Sequence, residues 1–219
     1  MIPDKTTAQD TAVAARQLLR AHRYGALCTL SKKFDGHPFG SITPYLVDHD
    51  GSLLILISAL AEHTKNIMHD PRVSLITHNQ DDPHIQTQGR LTVVGTASLE
   101  TEREQAGKRY LRYFPEAQTY YDMPDFQFYR IVPQALRYIG GFGDIHWVKA
   151  ERYRVPPNSL AADEDSLLAK INATRSAEQG LVIGIDCDGY DLHLNERTVR
   201  RDFPRIATDG AQALALLQK

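Results

Sequence analysis

Short runs in which apolar and polar positions alternate dominate residues 25–99. These β-like runs, of which 53–57 is apolar throughout, predict strands over 26–31, 40–47, 53–57, 73–77 and 91–99. Asp35-Gly36 and Asp50-Gly51 punctuate them as hairpin turns. Ahead of this block the period changes to that of a helix over 7–23. Val13, Leu18 and Leu19, with Ala12 and Ala15, form its apolar face, Thr6 or Thr7 caps its start and Gly25 stops it. A short helix over 64–69 ends before Pro71. Thr101-Glu102-Arg103-Glu104 reads as a capping box opening a helix through Phe114, which Pro115 ends. Lys108, Arg109 and Arg112 read as a solvated face of that helix. Strands follow over 126–132 and 135–139, with Pro133 marking an edge or bulge. The Gly140-Gly141-Phe142-Gly143 segment then leads into a last strand over 144–148.

Composition shifts at 152–165, where Pro156-Pro157 and acidic residues mark a linker. The pattern therefore divides the chain into a strand-rich domain over 1–150, a linker over 151–165 and a small α+β domain over 166–219. In the last, a helix over 166–174, strands over 181–186 and 191–194, the turn Asp188-Gly189, a basic stretch over 197–201 and a helix over 211–217 are expected.

The chain has 219 residues, 42% of them hydrophobic and 24% charged, which suits a domain with a sizeable core and excludes a disordered tail. Twenty-five basic residues against 27 acidic ones leave a net charge of −2, so no basic excess exists to drive nucleic-acid binding. The longest apolar run, Leu53 to Ile57, is far short of the ~20 residues that span a bilayer. The N-terminus does not read as a secretory signal, so no membrane partner and a cytoplasmic location are expected. Cys28 and Cys187 read as small buried residues on strands in a reducing compartment, and two cysteines are too few for a Cys-rich zinc site.

GxSxG, P-loop, GxGxxG and HExxH motifs are all absent. The Gly140–Gly143 segment lies between strands and opens no helix, so it reads either as a tight β-bulge or as a place where a cofactor ring lies against backbone. The most informative stretch runs from Ser58 through Glu62-His63-Thr64-Lys65-Asn66-Ile67 to Asp70-Pro71-Arg72-Val73. Two hydroxyls and a cation near a helix start suit an anion. Thr64 as a plain cap and Lys65 as a solvated charge is the alternative.

The order of strand, hairpin, strand, Ser58…His63-Thr64-Lys65-Asn66-Ile67…Asp70-Pro71-Arg72-Val73-Ser74-Leu75 and Gln88-Gly89-Arg90-Leu91-Thr92-Val93-Val94-Gly95 resembles the split β-barrel of the pyridoxamine phosphate oxidase superfamily, and within it the haem-utilization branch. Asp125-Phe126, Phe128-Tyr129-Arg130 and Arg137-Tyr138-Ile139-Gly140-Gly141-Phe142-Gly143 continue the match over about residues 10–150. The resemblance implies an α+β fold: an antiparallel split barrel with peripheral helices and a fused small α+β domain. It also implies a homodimer with cofactor sites in grooves between barrels. Ser58, His63, Thr64, Lys65 and Asn66 would bind an FMN phosphate, with Arg90 approaching from the next strand or else serving as a strand-edge charge. The small domain of such proteins usually carries a histidine motif on its first helix. Here that stretch reads Lys170-Ile171-Asn172-Ala173-Thr174-Arg175, without histidine.

Haem-degrading members ligate iron with a histidine beyond the glycine motif, and His146 is the candidate. With Ile145, Trp147 and Val148 filling the barrel, His146 points away from it, poorly oriented by Asp144. The alternative is a half-buried strand histidine beside Trp147. His22, His37, His49, His69, His78 and His84 read as surface residues. The aromatic residues over 110–129 read as core or dimer-interface packing, with one available to stack on a planar cofactor. Three functions follow: an FMN-binding protein and possible flavin oxidoreductase, a haem-binding or haem-degrading protein, or a non-catalytic binding protein that has lost its cofactor.

Overall fold

The computed structural model describes residues 8–79 and 81–217; Thr6 and Thr7, the expected caps of the first helix, lie outside the described residues. The barrel part runs α1 (Ala8–Ala21), β1 (Tyr24–Leu30), β2 (Pro38–Pro44), β3 (Leu46–Val47), β4 (Leu53–Ser58), α2 (Glu62–His69), β5 (Arg72–His78), β6 (Arg90–Leu99), α3 (Arg103–Tyr113), α4 (Gln118–Tyr121), β7 (Phe126–Gly141), β8 (Asp144–Lys149) and α5 (Ala150–Tyr153). The rest comprises α6 (Leu160–Asn172), β9 (Leu181–Asp186), β10 (Gly189–Leu194), β11 (Arg197–Asp202) and α7 (Gly210–Leu217).

The first sheet has eight antiparallel strands in the order β2-β1-β5-β6-β7-β4-β3, with β8 also on β7. The long β7 makes the split. It pairs with β6 along both halves, with β4 through Phe126–Ile131 and with β8 through Ala135–Gly141. The change of partner falls at a bulge, where Val94 faces Ala135 but Gly95 faces Pro133. Pro133 has no N–H to give the ladder, and a Cβ on Gly95 would stand 2.5 Å from the Val132 carbonyl oxygen, so both residue types suit the bulge. Leu27, Ile55, Leu75, Val93, Ile131 and Leu136 fill the interior beneath Ala12, Ala15 and Leu19 of α1. The helix ends at Ala21, and Gly25 lies inside β1, where a Cβ would meet the Ile76 carbonyl oxygen at 2.6 Å. Gly25 therefore permits a close strand crossing and does not stop the helix.

Helix α3 departs from its expected cap. Its N-cap is Glu102, with no side-chain cap bond, and the Glu102 N–H donates to Glu100 Oε1 at 2.9 Å. The aromatic cluster is mostly spent inside the chain. Tyr110, Tyr113, Phe114 and Phe128 are buried in a second core that includes Ile183 of the small unit, so they offer no dimer surface. That unit packs α6 and α7 on the sheet β11-β10-β9 around Leu160, Leu168, Ile171, Ile185 and Phe203. Helix α6 starts at Leu160, earlier than the expected 166, so only 154–159 stays irregular between the units. Cys187 is buried, in the β9–β10 turn and not on a strand.

Arginine–carboxylate pairs join the units. Arg16 of α1 grips Asp188 with two bonds, Nε to Oδ2 at 2.8 Å and Nη2 to Oδ1 at 2.9 Å. Arg20 Nη1 stands 3.2 Å from Asp186 Oδ2, and Arg200 Nη1 bonds the same carboxylate at 2.7 Å. Arg109, expected on a solvated face, is 6% exposed and bonds Glu164, with Arg112 on the same carboxylate. His49 likewise is no surface residue: its Nε2 lies 3.3 Å from Glu164 Oε2. The pattern of charges on α3 shows a polar face, but the partner that covers it comes from a carboxylate 55 residues further along.

Candidate functional site

Two regions bear on function: the loop between β4 and α2, and the outer face of the large sheet. In the loop, Ser58 Oγ donates to Asp125 Oδ2 at 2.6 Å, and Thr64 Oγ1 donates to the Ser58 carbonyl oxygen at 2.6 Å. Asn66 is fully buried: its amide donates to Thr29 Oγ1 at 3.0 Å and its Oδ1 accepts from Lys32 N at 2.9 Å. His63 Nδ1 lies 3.1 Å from Ser41 Oγ, and burial holds this imidazole below its ordinary pKa. The loop thus stitches β4 to β7 and α2 to β1. Of the five expected phosphate contacts, only Lys65 is exposed and without a partner among the described residues. A phosphate needs free donors. Those of Thr64 and Asn66 are committed, and the Asp125 carboxylate stands beside Ser58. Among these five side chains, Lys65 is the one left exposed to meet a phosphate.

The outer face has a different character. Register places Ile42, Ala26, Ile76, Thr92, Arg137 and Trp147 in one row across β2, β1, β5, β6, β7 and β8. Ile42 is 68% exposed and Trp147 62%, with the Arg137 guanidinium 5.3 Å from the Trp147 ring centroid. Val94 and Ile145 are also exposed outward. The charged residues at outward positions of these six strands are Arg72, Arg90, Arg130, Arg137 and Lys149; Arg72 is paired with Asp70 and Arg130 with Asp48 and Glu100, which leaves Arg90, Arg137 and Lys149 without a carboxylate partner among the described residues. Arg90 is in register with His78 and Ile139, and its Nη1 donates to the Ile85 carbonyl oxygen at 2.8 Å.

The structure reverses the expected facing of β8. Ile145 and Trp147 point outward, while His146 shares the inner face with buried Val148. Asp144, expected to orient His146 poorly, accepts from its Nε2 at 2.7 Å. The glycines make this possible: a Cβ on Gly140 would stand 2.1 Å from Asp144 Oδ2. The register shifts between Ile139 and Gly141, so the segment is a bulge closing a hairpin, with Phe142 at its tip 97% exposed.

Two other features carry no chemistry of their own. A cleft of about 480 Å³ lies along the seam between α3 and α6, but Arg109, Arg112 and Arg130 on its walls are engaged with Glu164, Asp165, Asp48 and Glu100. Asp186, Cys187 and Asp188 lie close enough to share a cation, yet Arg16, Arg20 and Arg200 already occupy the two carboxylates. Burial, then the Asp188 charge, pushes the Cys187 thiol up to about 12, which keeps it protonated and a poor ligand.

No helix among the described residues is long and apolar enough to cross a membrane. Comparison with solved structures gives a TM-score of 0.82 to the protein Atu2129 of Agrobacterium tumefaciens, of unknown function, at 24% identity over all of this chain and 99% of that one. A heme-binding protein of Mycobacterium smegmatis superposes with a TM-score of 0.59 at 23% identity, covering 97% of this chain and 95% of the other. These likenesses bear out the split barrel with its fused small α+β unit. In sequence, the chain is 31% identical over 227 residues to the chloroplastic non-canonical heme oxygenase HOZ of Arabidopsis thaliana, covering 92% of this chain and 70% of HOZ. Residues 6–155 match the family described as CREG, beta-barrel, and the chain belongs to that family.

Proposed function

We propose that this protein is a haem-binding homodimer of the haem-degrading class, seating the porphyrin beside the outer face of its large sheet. The observation that carries the reading is an apolar sheet face on which three cations, Arg90, Arg137 and Lys149, have no carboxylate partner among the described residues. Two copies of such a face repel each other unless an anion lies between them. Haem is a flat apolar ring with two carboxylates, and so supplies both the surface and the charge. Arg90 and Arg137 are the candidates to hold the propionates, since a guanidinium meets a carboxylate with two parallel bonds. Bound haem would supply the iron and redox chemistry of ring cleavage; the protein's part is to bind and orient it and to limit water at the ring. The likeness to HOZ over most of the chain supports this class. FMN has less support, because its phosphate would need the donors that Thr64 and Asn66 have spent on β4 and β1. Free Cys28 and Cys187 agree with a reducing, cytoplasmic setting.

The test is a titration of the purified protein with haemin, followed at the Soret band, beside a titration with FMN followed by flavin fluorescence. Saturable haem binding at one haem per chain, with no quenching of FMN, is the expected result. Quenching of FMN without a Soret shift would overturn the reading in favour of a flavoprotein. A protein that titrates with neither would be the cofactor-free binding protein.

A further inference from the structure

We propose that His78 is the residue that meets the haem iron, an inference that rests on the haem-binding reading. Of the nine histidines, His78 is the one at an outward position of the large sheet. Thr77 before it is fully buried, so strand alternation turns His78 to the outer face. There it sits in register with Arg90, and through Arg90 with Ile139 and Ile145, inside the cationic apolar surface. The other histidines are placed elsewhere. His146 is on the inner face and bonded to Asp144, His63 is bonded to Ser41, His193 belongs to the small sheet, His22 follows the end of α1, near His78 but off the sheet, and the rest are on loops or helix ends.

The hydrogen bonds around His78 leave the nitrogen a metal would use. Nδ1 lies between an acceptor, the Asn79 carbonyl oxygen at 3.0 Å, and a donor, Gln88 Nε2 at 3.4 Å, and the closer contact is met when Nδ1 carries the proton and donates it. That tautomer puts the lone pair on Nε2, which has no partner among the described residues. A backbone carbonyl on the far nitrogen is the usual way a ligating imidazole is oriented and made more basic. The ring is also backed by Gln88, a buried side chain whose Nε2 donates to the Asp82 carbonyl oxygen at 3.0 Å and lies 3.4 Å from His78 Nδ1. Arg90 beside it keeps nitrogens free of its one bond to Ile85, so a propionate and an iron ligand stand on neighbouring strands.

The experiment compares ferric haem complexes of the wild type, His78→Ala, His78→Gln and His146→Ala by Soret titration and by electron paramagnetic resonance. Circular dichroism confirms that each variant is folded. Both His78 variants are expected to lose at least tenfold in haem affinity and to change the Soret position and the iron spectrum, with added imidazole restoring the wild-type spectrum in His78→Ala. His146→Ala is expected to match the wild type. If the wild type binds haem and the His78 variants keep its affinity and spectra, His78 is not the ligand, while the haem reading stands. Loss on His146→Ala alone would assign the iron to the inner face and overturn the proposal. Absence of any wild-type haem complex would remove both.

Discussion

Replacing Arg16 by methionine should loosen the small unit from the barrel. Arg16 is almost fully buried, and its guanidinium makes two charge-assisted bonds to Asp188 and a third, Nη1 to the Tyr153 carbonyl oxygen at 3.1 Å. Removing one partner of a buried pair leaves the other charge without water or counter-charge, which costs about 3–5 kcal/mol. Here Arg20 Nε remains 3.5 Å from Asp188 Oδ2 and offsets part of that loss. The expected destabilisation is therefore at the low end, about 3 kcal/mol, or a fall of about 1 M in the urea midpoint for a slope near 3 kcal/mol per M. Replacing both residues, Arg16→Met with Asp188→Leu, removes both buried charges while Arg20 keeps Asp186. The double variant should be more stable than Arg16→Met alone. Urea unfolding followed by far-ultraviolet circular dichroism and by fluorescence of the single Trp147 measures both effects. An Arg16→Met protein within about 1 kcal/mol of wild type, or a double variant less stable than the single, would refute the claim that a buried charge pair holds the units together.

Acid should act through the same seam. Burial alone would raise the Glu164 carboxyl, but Arg109, His49 and Arg112 outweigh it and hold it well below the usual range; Arg20 and Arg200 do the same for buried Asp186. Depressed carboxyls contribute stability above their unfolded pKa of about 4 and lose it as pH falls further, so the melting temperature should drop steeply only below that pH. Glu164→Gln should melt lower at pH 7 and show a smaller acid drop. Gly184→Ala would put a Cβ 1.8 Å from Tyr113 Oη and break its bond to Asp191, costing about 1–3 kcal/mol in thermal unfolding, with Tyr113→Phe recovering part of it. Ile76→Lys adds a further cation to the middle of the outer row; light scattering of the haem-loaded proteins should show wild-type dimers and mutant monomers, and a dimeric mutant would move the interface elsewhere.

The elements were legible in the chain because they depend on short-range rules. Alternation marked β5 and β6 through Val73 and Leu91, a continuous apolar run marked β4, the two Asp-Gly turns closed the β1–β2 and β3–β4 hairpins, and Pro133 marked the bulge, since each feature acts on its own strand or its immediate neighbour. Order and spacing of motifs also carried the split barrel. The site was harder to read, because its residues are sorted by which face they occupy. Thr64 and Asn66 have the chemistry of anion binders, yet the turn at Ser58 aims them inward, where Ser58 and Thr29 take their hydrogen bonds. His78 and His146 are both strand histidines. Alternation next to Thr77 turns one out, while the bulge at Gly140 draws the other in beside Asp144. Arg109 lies on a polar helix stripe in the sequence, and only the docking of α6 buries it against Glu164. Period and turn chemistry determine which residues form a strand or helix. Which of its polar groups are spent on the fold and which stay free for a ligand is decided by long-range contacts, because a hydrogen bond or ion pair depends on distance in space and not on separation along the chain.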